Sequence, residues 1–214
     1  MSAVIDPAAE RDAFLEIFYA MLKQRPAGRL LEIGARNVTS ANRVPVIPDG
    51  WKYDGLDIAP DKWVTIVGDA HNLRAVLRKG SVDAIISRAT FEHLLMPWKV
   101  VLEMNRVLRD GGLVLIASHQ TFPLHEMPAD YWRFSEGAWH ALFNKFTGFR
   151  VIETKLCRPV SIVPHVDSPA TDGMPGMPAY IHSMVIAEKT GRARVSWDVN
   201  PNAILPLEYP IPPK

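Results

Sequence analysis

The plainest pattern along the chain is a series of short apolar runs that each stop at a polar or glycine residue. Residues 30–33 run into Gly34, 51–56 into Asp57, and 64–67 into Gly68-Asp69-Ala70. Residues 82–86 and 113–117 complete the set, the last with no polar interruption. Runs of this length, ended by turn residues, read as buried parallel strands. Between them the period changes to that of a helix. Phe14, Leu15, Phe18, Met21 and Leu22 share one helical face, with Asp6 as N-cap, Pro7 at the first helical position, and Pro26 and Gly28 as the stop. Val100, Val101, Met104, Val107 and Leu108 predict a helix over 97–108, stopped by Gly111-Gly112. Trp139, Leu142, Phe143 and Phe146 predict a third, opening at Ser135. Residues 73–77 fit a short helix, and 37–43 fit two turns at most, because Pro45 and Pro48 stop anything longer.

Two further strands are expected at 149–156 and 181–188, with no convincing helix between them, so they can lie antiparallel at one edge. The alternation predicts an α/β protein: a Rossmann-like, seven-stranded, mostly parallel sheet with helices on both faces and an antiparallel edge strand. The expected organisation is a single domain over 1–190, with an N-terminal helical segment 1–27 and a proline-rich loop 159–180, followed by an extended proline-rich tail 191–214. The loop holds five prolines (159, 164, 169, 175 and 178), and a loop of that length is usually a lid or an interface. Loop and tail are the expected surfaces for a homodimer.

Composition narrows the function. The 214 residues carry 24 Lys and Arg against 23 Asp and Glu, a net charge of +1, which excludes binding of nucleic acid or a membrane surface by bulk charge. No window approaches 18 apolar residues, so no membrane span is expected. The first ten residues lack the basic and apolar regions of a signal peptide. With Cys157 as the one cysteine there is no internal disulfide, and a cytoplasmic location is the simple expectation.

Candidate chemistry sits at the strand ends. Glu32, Asp57 and Asp69 end three of the runs, and adjacent parallel strands bring such ends to one rim. An acidic residue about 20 positions beyond a glycine turn suits a ribose diol, because one carboxylate accepts from both hydroxyls. Asp57 lies 23 residues after Gly34. Asp69 can accept from an adenine amino group.

Taken in order, Leu-Glu-Ile-Gly, Gly-Leu-Asp-Ile, Gly-Asp-Ala, Val-Asp-Ala-Ile-Ile-Ser with Phe-Glu-His-Leu, and Leu-Arg-Asp-Gly-Gly-Leu-Val-Leu-Ile resemble the class I S-adenosylmethionine-dependent methyltransferases. The nearest likeness is to the small-molecule branch of type 11, over residues 28–118 and more loosely to 190. The resemblance implies S-adenosylmethionine as cofactor. It implies Glu32, Gly34, Arg88 and Ala89 at the methionine end, Asp57 on the ribose, Ile58 beside the adenine, and Asp69 and Ala70 at the adenine edge. The family's later glycines are here Ala35, Arg36 and Asn37; Arg36 can pair with the cofactor carboxylate or block the pocket. Without a full glycine fingerprint a nicotinamide-dependent oxidoreductase is disfavoured.

Methyl transfer needs alignment and a group to take a proton. His119 and His125 are the expected bases, since histidine titrates near neutrality. His93, Asp130, Tyr131, Trp132 and Arg133 are the expected acceptor wall, with aromatic and polar groups interleaved. His119, His125, Glu126 and Asp130 match no firm ligand spacing, so no metal is assigned. His71, His140, His165 and His182 are read as surface or core residues. The expected activity is methyl transfer to a small molecule, at oxygen, on a sugar or natural-product intermediate. The alternative is a non-catalytic partner protein that keeps the fold.

Overall fold

The computed structural model describes residues 7–38, 44–166 and 168–205. The expected N-cap Asp6, most of the expected turns at 37–43, and the end of the tail lie outside them. Helix α1 spans Pro7–Lys23, and strands β1 (Arg29–Ile33) and β2 (Lys52–Asp57) follow with no helix between them among the described residues. Next come β3 (Ile66–Val67), 3-10 turns at Ala70–Ala75, β4 (Val82–Arg88) and a 3-10 turn at Phe91–His93. Helix α2 (Pro97–Val107), β5 (Leu108–His119), α3 (Glu136–Leu142), β6 (Phe149–Val160) and β7 (Ala179–Lys189) complete the domain.

The seven strands form one sheet in the order β3-β2-β1-β4-β5-β7-β6. Strands β1 to β5 are parallel, and β7 enters antiparallel between β5 and β6. The last two strands lie antiparallel to each other at one edge, as expected, with β7 one place in and β6 as the edge itself. That position tolerates Pro159 inside β6, because an edge strand leaves one side of its backbone unpaired.

Side chains alternate across the sheet, so each strand feeds two cores. Leu30, Ala84, Ile86, Leu113, Leu115, Met184 and Ile186 pack under Phe14, Phe18 and Leu22 of α1. Leu31, Ile33, Ile85, Val114, Ile116 and Val185 pack against α2 and α3 through Val100, Val101, Met104 and Trp139, and against Phe143, which follows α3. The Trp139 indole donates to the Ser183 hydroxyl at 2.7 Å, which satisfies its one polar atom inside that core.

The tail does not hang free over 191–205. Lys99 Nζ, on a buried side chain of α2, donates to the Trp197 carbonyl at 2.9 Å. The Trp197 ring meets Trp98 edge-on at 5.8 Å. Asn105 donates to the Gly191 carbonyl and accepts from the Ala193 amide. Among the described residues no helix is long and apolar enough to cross a membrane.

Candidate active site

The parallel register builds a common rim. Ile33 is level with Leu56 on one side and Ser87 on the other, and Arg88 is level with Ala117. The residues one step beyond, Gly34, Asp57, Arg88 and Ser118-His119, therefore converge. Gly34, Asp57, Arg88 and His119 border a cleft of about 750 Å³, within the usual range for a small-molecule site.

Gly34 makes the turn out of β1. Its φ is +79°, and a Cβ there would fall 1.9 Å from Thr90 Oγ1. A side chain is excluded both by conformation and by space. Ala89, also on the wall, holds φ of +49°, a conformation that costs a non-glycine residue and recurs at functional turns.

Arg36 lies on the cleft wall and leaves the cleft open. Its amide donates to Asp57 Oδ2 at 3.1 Å, and its Nε lies 3.7 Å from Asp57 Oδ1. The Ala59 amide also donates to Oδ1, at 3.3 Å. The residue in place of a glycine thus braces the Asp57 carboxylate. Asp69 caps the turn that follows β3: its Oδ1 accepts from the His71 amide and from His71 Nδ1. Burial works against the Asp69 charge, but His71 holds its carboxyl below the usual range. His71 Nε2 accepts from the Met96 amide, so this buried imidazole is a tie between loops that also touches the cleft.

Of the expected cofactor residues, Gly34, Arg36, Asp57, Ile58, Asp69, Ala70, Arg88 and Ala89 line the cleft. Glu32 does not. It is buried behind the wall, where it accepts from Tyr53 Oη at 2.8 Å and pairs with Arg88 Nη2 at 3.2 Å. Residues Leu30 and Glu32, like Ala84, Ile86 and Arg88, follow the period of two onto the α1 face, so Glu32 positions Arg88. Burial lowers the Arg88 pKa, and its buried Nε has no hydrogen-bond partner among the described residues.

The expected bases meet at the other end of the cleft, together with residues that the sequence did not single out. His119 and His182 are level in the β5–β7 ladder, and their rings lie 5.5 Å apart, nearly parallel. Phe122 stacks on His119 at 4.1 Å. The His125 ring stands edge-on to His119 at 5.3 Å and to His93 at 4.8 Å. Glu92, fully buried, receives the Ser118 hydroxyl on Oε2 at 2.6 Å and has His119 Nε2 3.2 Å from Oε1. Burial pushes Glu92 up and His119 down to about 4, which disfavours charge on either partner. His182 is also depressed to about 4, by burial and then by Arg158 and Arg11. Both arginines reach the same cleft, and Arg158 does so from a backbone at φ of +60°.

Of the expected acceptor wall, His93 and Tyr131 line the cleft. Asp130, Trp132 and Arg133 do not, and their partners show why. Arg133 grips both Asp130 oxygens, at 2.6 and 2.8 Å, and holds that carboxyl below its usual range. The Trp132 indole donates to the Leu94 carbonyl. The Tyr131 and Trp132 amides both donate to the Glu92 carbonyl. These residues fix the loop after β5 in place. Glu92, and not Glu126, forms one compact cluster with His119 and His125.

Residues 36–116 match the model of a methyltransferase domain. No curated protein matches the sequence. Among solved structures, an S-adenosylmethionine-dependent methyltransferase from Archaeoglobus fulgidus is 15% identical, with a TM-score of 0.54 over 81% of this chain and 94% of that one. A phosphoethanolamine N-methyltransferase 2 of Haemonchus contortus, in complex with phosphomonomethylethanolamine and S-adenosylhomocysteine, is 18% identical at a TM-score of 0.51, over 81% and 52%. The [4+2]-cyclase SpnF is 15% identical at 0.51, over 80% of each chain. The fold therefore hosts more than one reaction. The matched segment holds most of the cofactor-side residues described above, and the shared sheet gives this chain the fold seen in S-adenosylmethionine-dependent methyltransferases.

Proposed function

We propose that the cleft binds S-adenosylmethionine and that the protein methylates an oxygen of a small-molecule acceptor, a sugar or a natural-product intermediate. The observation that carries this is the convergence of Asp57, Asp69 and the histidine cluster on one open cleft. The residues suit the cofactor. Gly34 keeps a Cβ out of the turn, and Arg88 Nε is buried and unmatched where the amino-acid carboxylate is read to sit. When bound, the cofactor supplies an activated methyl group.

The chain's own residues supply the rest. Asp57, braced by the Arg36 and Ala59 amides, offers its carboxylate to the ribose hydroxyls. Ile58 and Ala70 flank the adenine, and Asp69 keeps an oxygen for its amino group beyond the one given to His71. His93, Tyr131 and Phe122 border the acceptor. His125, whose side chain is 25% exposed, takes the acceptor proton. His119 is a poor base, because burial holds it neutral far below pH 7. Arg158 and Arg11 give the acceptor end a positive character that favours an acceptor with an anionic group.

Isothermal titration with S-adenosylhomocysteine tests the cofactor assignment: saturable binding of one equivalent is expected, and no heat from either this product or the cofactor would overturn it. Hydroxylated and phosphorylated sugars, assayed with labelled methyl donor, then test the acceptor class.

A further inference from the structure

We propose that Glu92, His119 and His125 form a binding site for a divalent first-row transition cation at the acceptor end of the cleft. One ligand atom from each of the three lies within 4.8 Å of the other two. The site is built rather than incidental. Glu92 is fully buried, and its Oε1 accepts no hydrogen bond among the described residues, while Ser118 fixes the other oxygen. A buried carboxylate oxygen aimed at a histidine cluster is costly unless something positive meets it.

Both imidazoles are held in place by their neighbours, His125 in the way metal-bound imidazoles usually are, with a carboxylate beside its ring nitrogen. His119 is gripped between Phe122 and His182. His125 Nδ1 lies 3.2 Å from Asp130 Oδ2, which orients the ring. His93 stands beside His125, its Nδ1 on the Ala129 carbonyl. A second grouping, His93, His125 and Asp130, is also compact. It is the poorer site, because the Arg133 fork already occupies both Asp130 oxygens.

Two imidazoles and one carboxylate suit Zn²⁺, Fe²⁺, Co²⁺ or Mn²⁺ and disfavour Mg²⁺ and Ca²⁺, which prefer oxygen donors throughout. Three protein ligands leave coordination positions open towards the cleft. A cation there would bind the acceptor hydroxyl and ease its ionisation, the proton passing to water in the open cleft, and His125 would then serve as a ligand in place of acting as the base. That role rests on the methyl-transfer reading, whereas the binding site does not.

The test is a titration of chelator-treated protein with Co²⁺, read by isothermal calorimetry and by the visible absorption of bound cobalt. One equivalent is expected, with micromolar or tighter affinity. Glu92→Gln, His119→Ala and His125→Ala should each weaken it at least tenfold, with His140→Ala unchanged as a control. Absence of stoichiometric binding, or equal affinity in all variants that retain the native circular dichroism, overturns the site. His125, the least buried of the three, is the variant expected to fold in any case. S-adenosylhomocysteine binding measured on the same samples separates the two proposals: cobalt binding without it leaves the site standing and removes the methyl-transfer reading.

Discussion

Replacement of Asp57 by alanine separates a cofactor ligand from a structural brace. The carboxylate is 11% exposed and the Arg36 side chain opposite it 7%. Removing it takes the acceptor from two backbone amides, at 3.1 and 3.3 Å, and the carboxylate from a buried guanidinium at 3.7 Å. Each lost hydrogen bond is worth about 1 kcal/mol, and removing one partner of a buried ion pair costs up to ~3–5 kcal/mol. The pair is longer than a hydrogen bond, so a total near ~3 kcal/mol is expected. That is survivable within a typical stability of ~5–15 kcal/mol, and it lowers Tm by roughly 6–12 °C. The ribose hydroxyls lose their acceptor as well, which weakens S-adenosylhomocysteine by about 1–3 kcal/mol, or roughly 5- to 150-fold. Urea unfolding and isothermal titration read the two quantities apart. Arg36→Met combined with Asp57→Ala also removes the guanidinium that has lost its Asp57 carboxylate, so stability should recover in part while affinity stays low. Unchanged affinity in the single variant refutes the ribose assignment. Recovery of both quantities in the double variant shows that Asp57 acts only on Arg36.

Other outcomes follow from the same geometry. Gly34→Ala puts a Cβ 1.9 Å from Thr90 Oγ1 at φ of +79°; a loss of at least ~1–2 kcal/mol is expected from the backbone alone, and Thr90→Ala should relieve the overlap but leave that backbone cost, as measured by urea unfolding. The folded His119 pKa of about 4 lies below the unfolded value near 6.5, so the unfolded chain binds the extra proton and stability falls as pH drops through that window, by about 2–3 kcal/mol at pH 4.5. In metal-free protein His119→Asn should lose correspondingly less between pH 7 and 4.5, and an identical loss would remove the argument. Truncation before Trp197 takes the carbonyl from the buried Lys99, and should cost about 1–3 kcal/mol in a denaturant titration. Val163, Val166 and Met177 are exposed along the proline-rich loop, and pairing of two chains there predicts a dimer in sedimentation equilibrium that deletion of 161–178 abolishes.

The sheet was legible because its central strands are buried on both sides. Runs such as 30–33 and 113–117 need no alternation to be recognised, and the rim they reach is where the acidic strand ends gather. Pro45 and Pro48 also foreshadowed that no helix lies between β1 and β2 among the described residues. Strand lengths were harder. Arg109-Asp110-Gly111-Gly112 has the composition of a turn, yet it lies inside β5. The ladder explains it: Val82 is level with Leu108 and Ala84 with Leu113, so a bulge absorbs the extra residues. Similarly β6 reaches Val160 through Pro159, which a central strand would not allow.

Which strand-end residue faces the cleft depends on direction as well as position. Glu32 and Asp57 look alike in sequence, but Glu32 shares the α1 face with Leu30, two residues away, and so meets Tyr53 and Arg88 behind the wall. Asp57 ends its strand, and its carboxylate accepts the Arg36 amide across the rim. His182 gave no signal of its own; its place beside His119 depends on the antiparallel β5–β7 register, which pairs residues 63 positions apart. Glu92 is the deeper case. It sits in a 3-10 turn between Phe91 and His93, where no period marks it as buried. Its carbonyl takes the Tyr131 and Trp132 amides, and its carboxylate takes Ser118. One residue thus ties the turn after β4, the end of β5 and the following loop. A structural tie alone would be served by the backbone carbonyl and a neutral side chain. A carboxylate with one oxygen left over, beside two imidazoles, is what a chemical role requires.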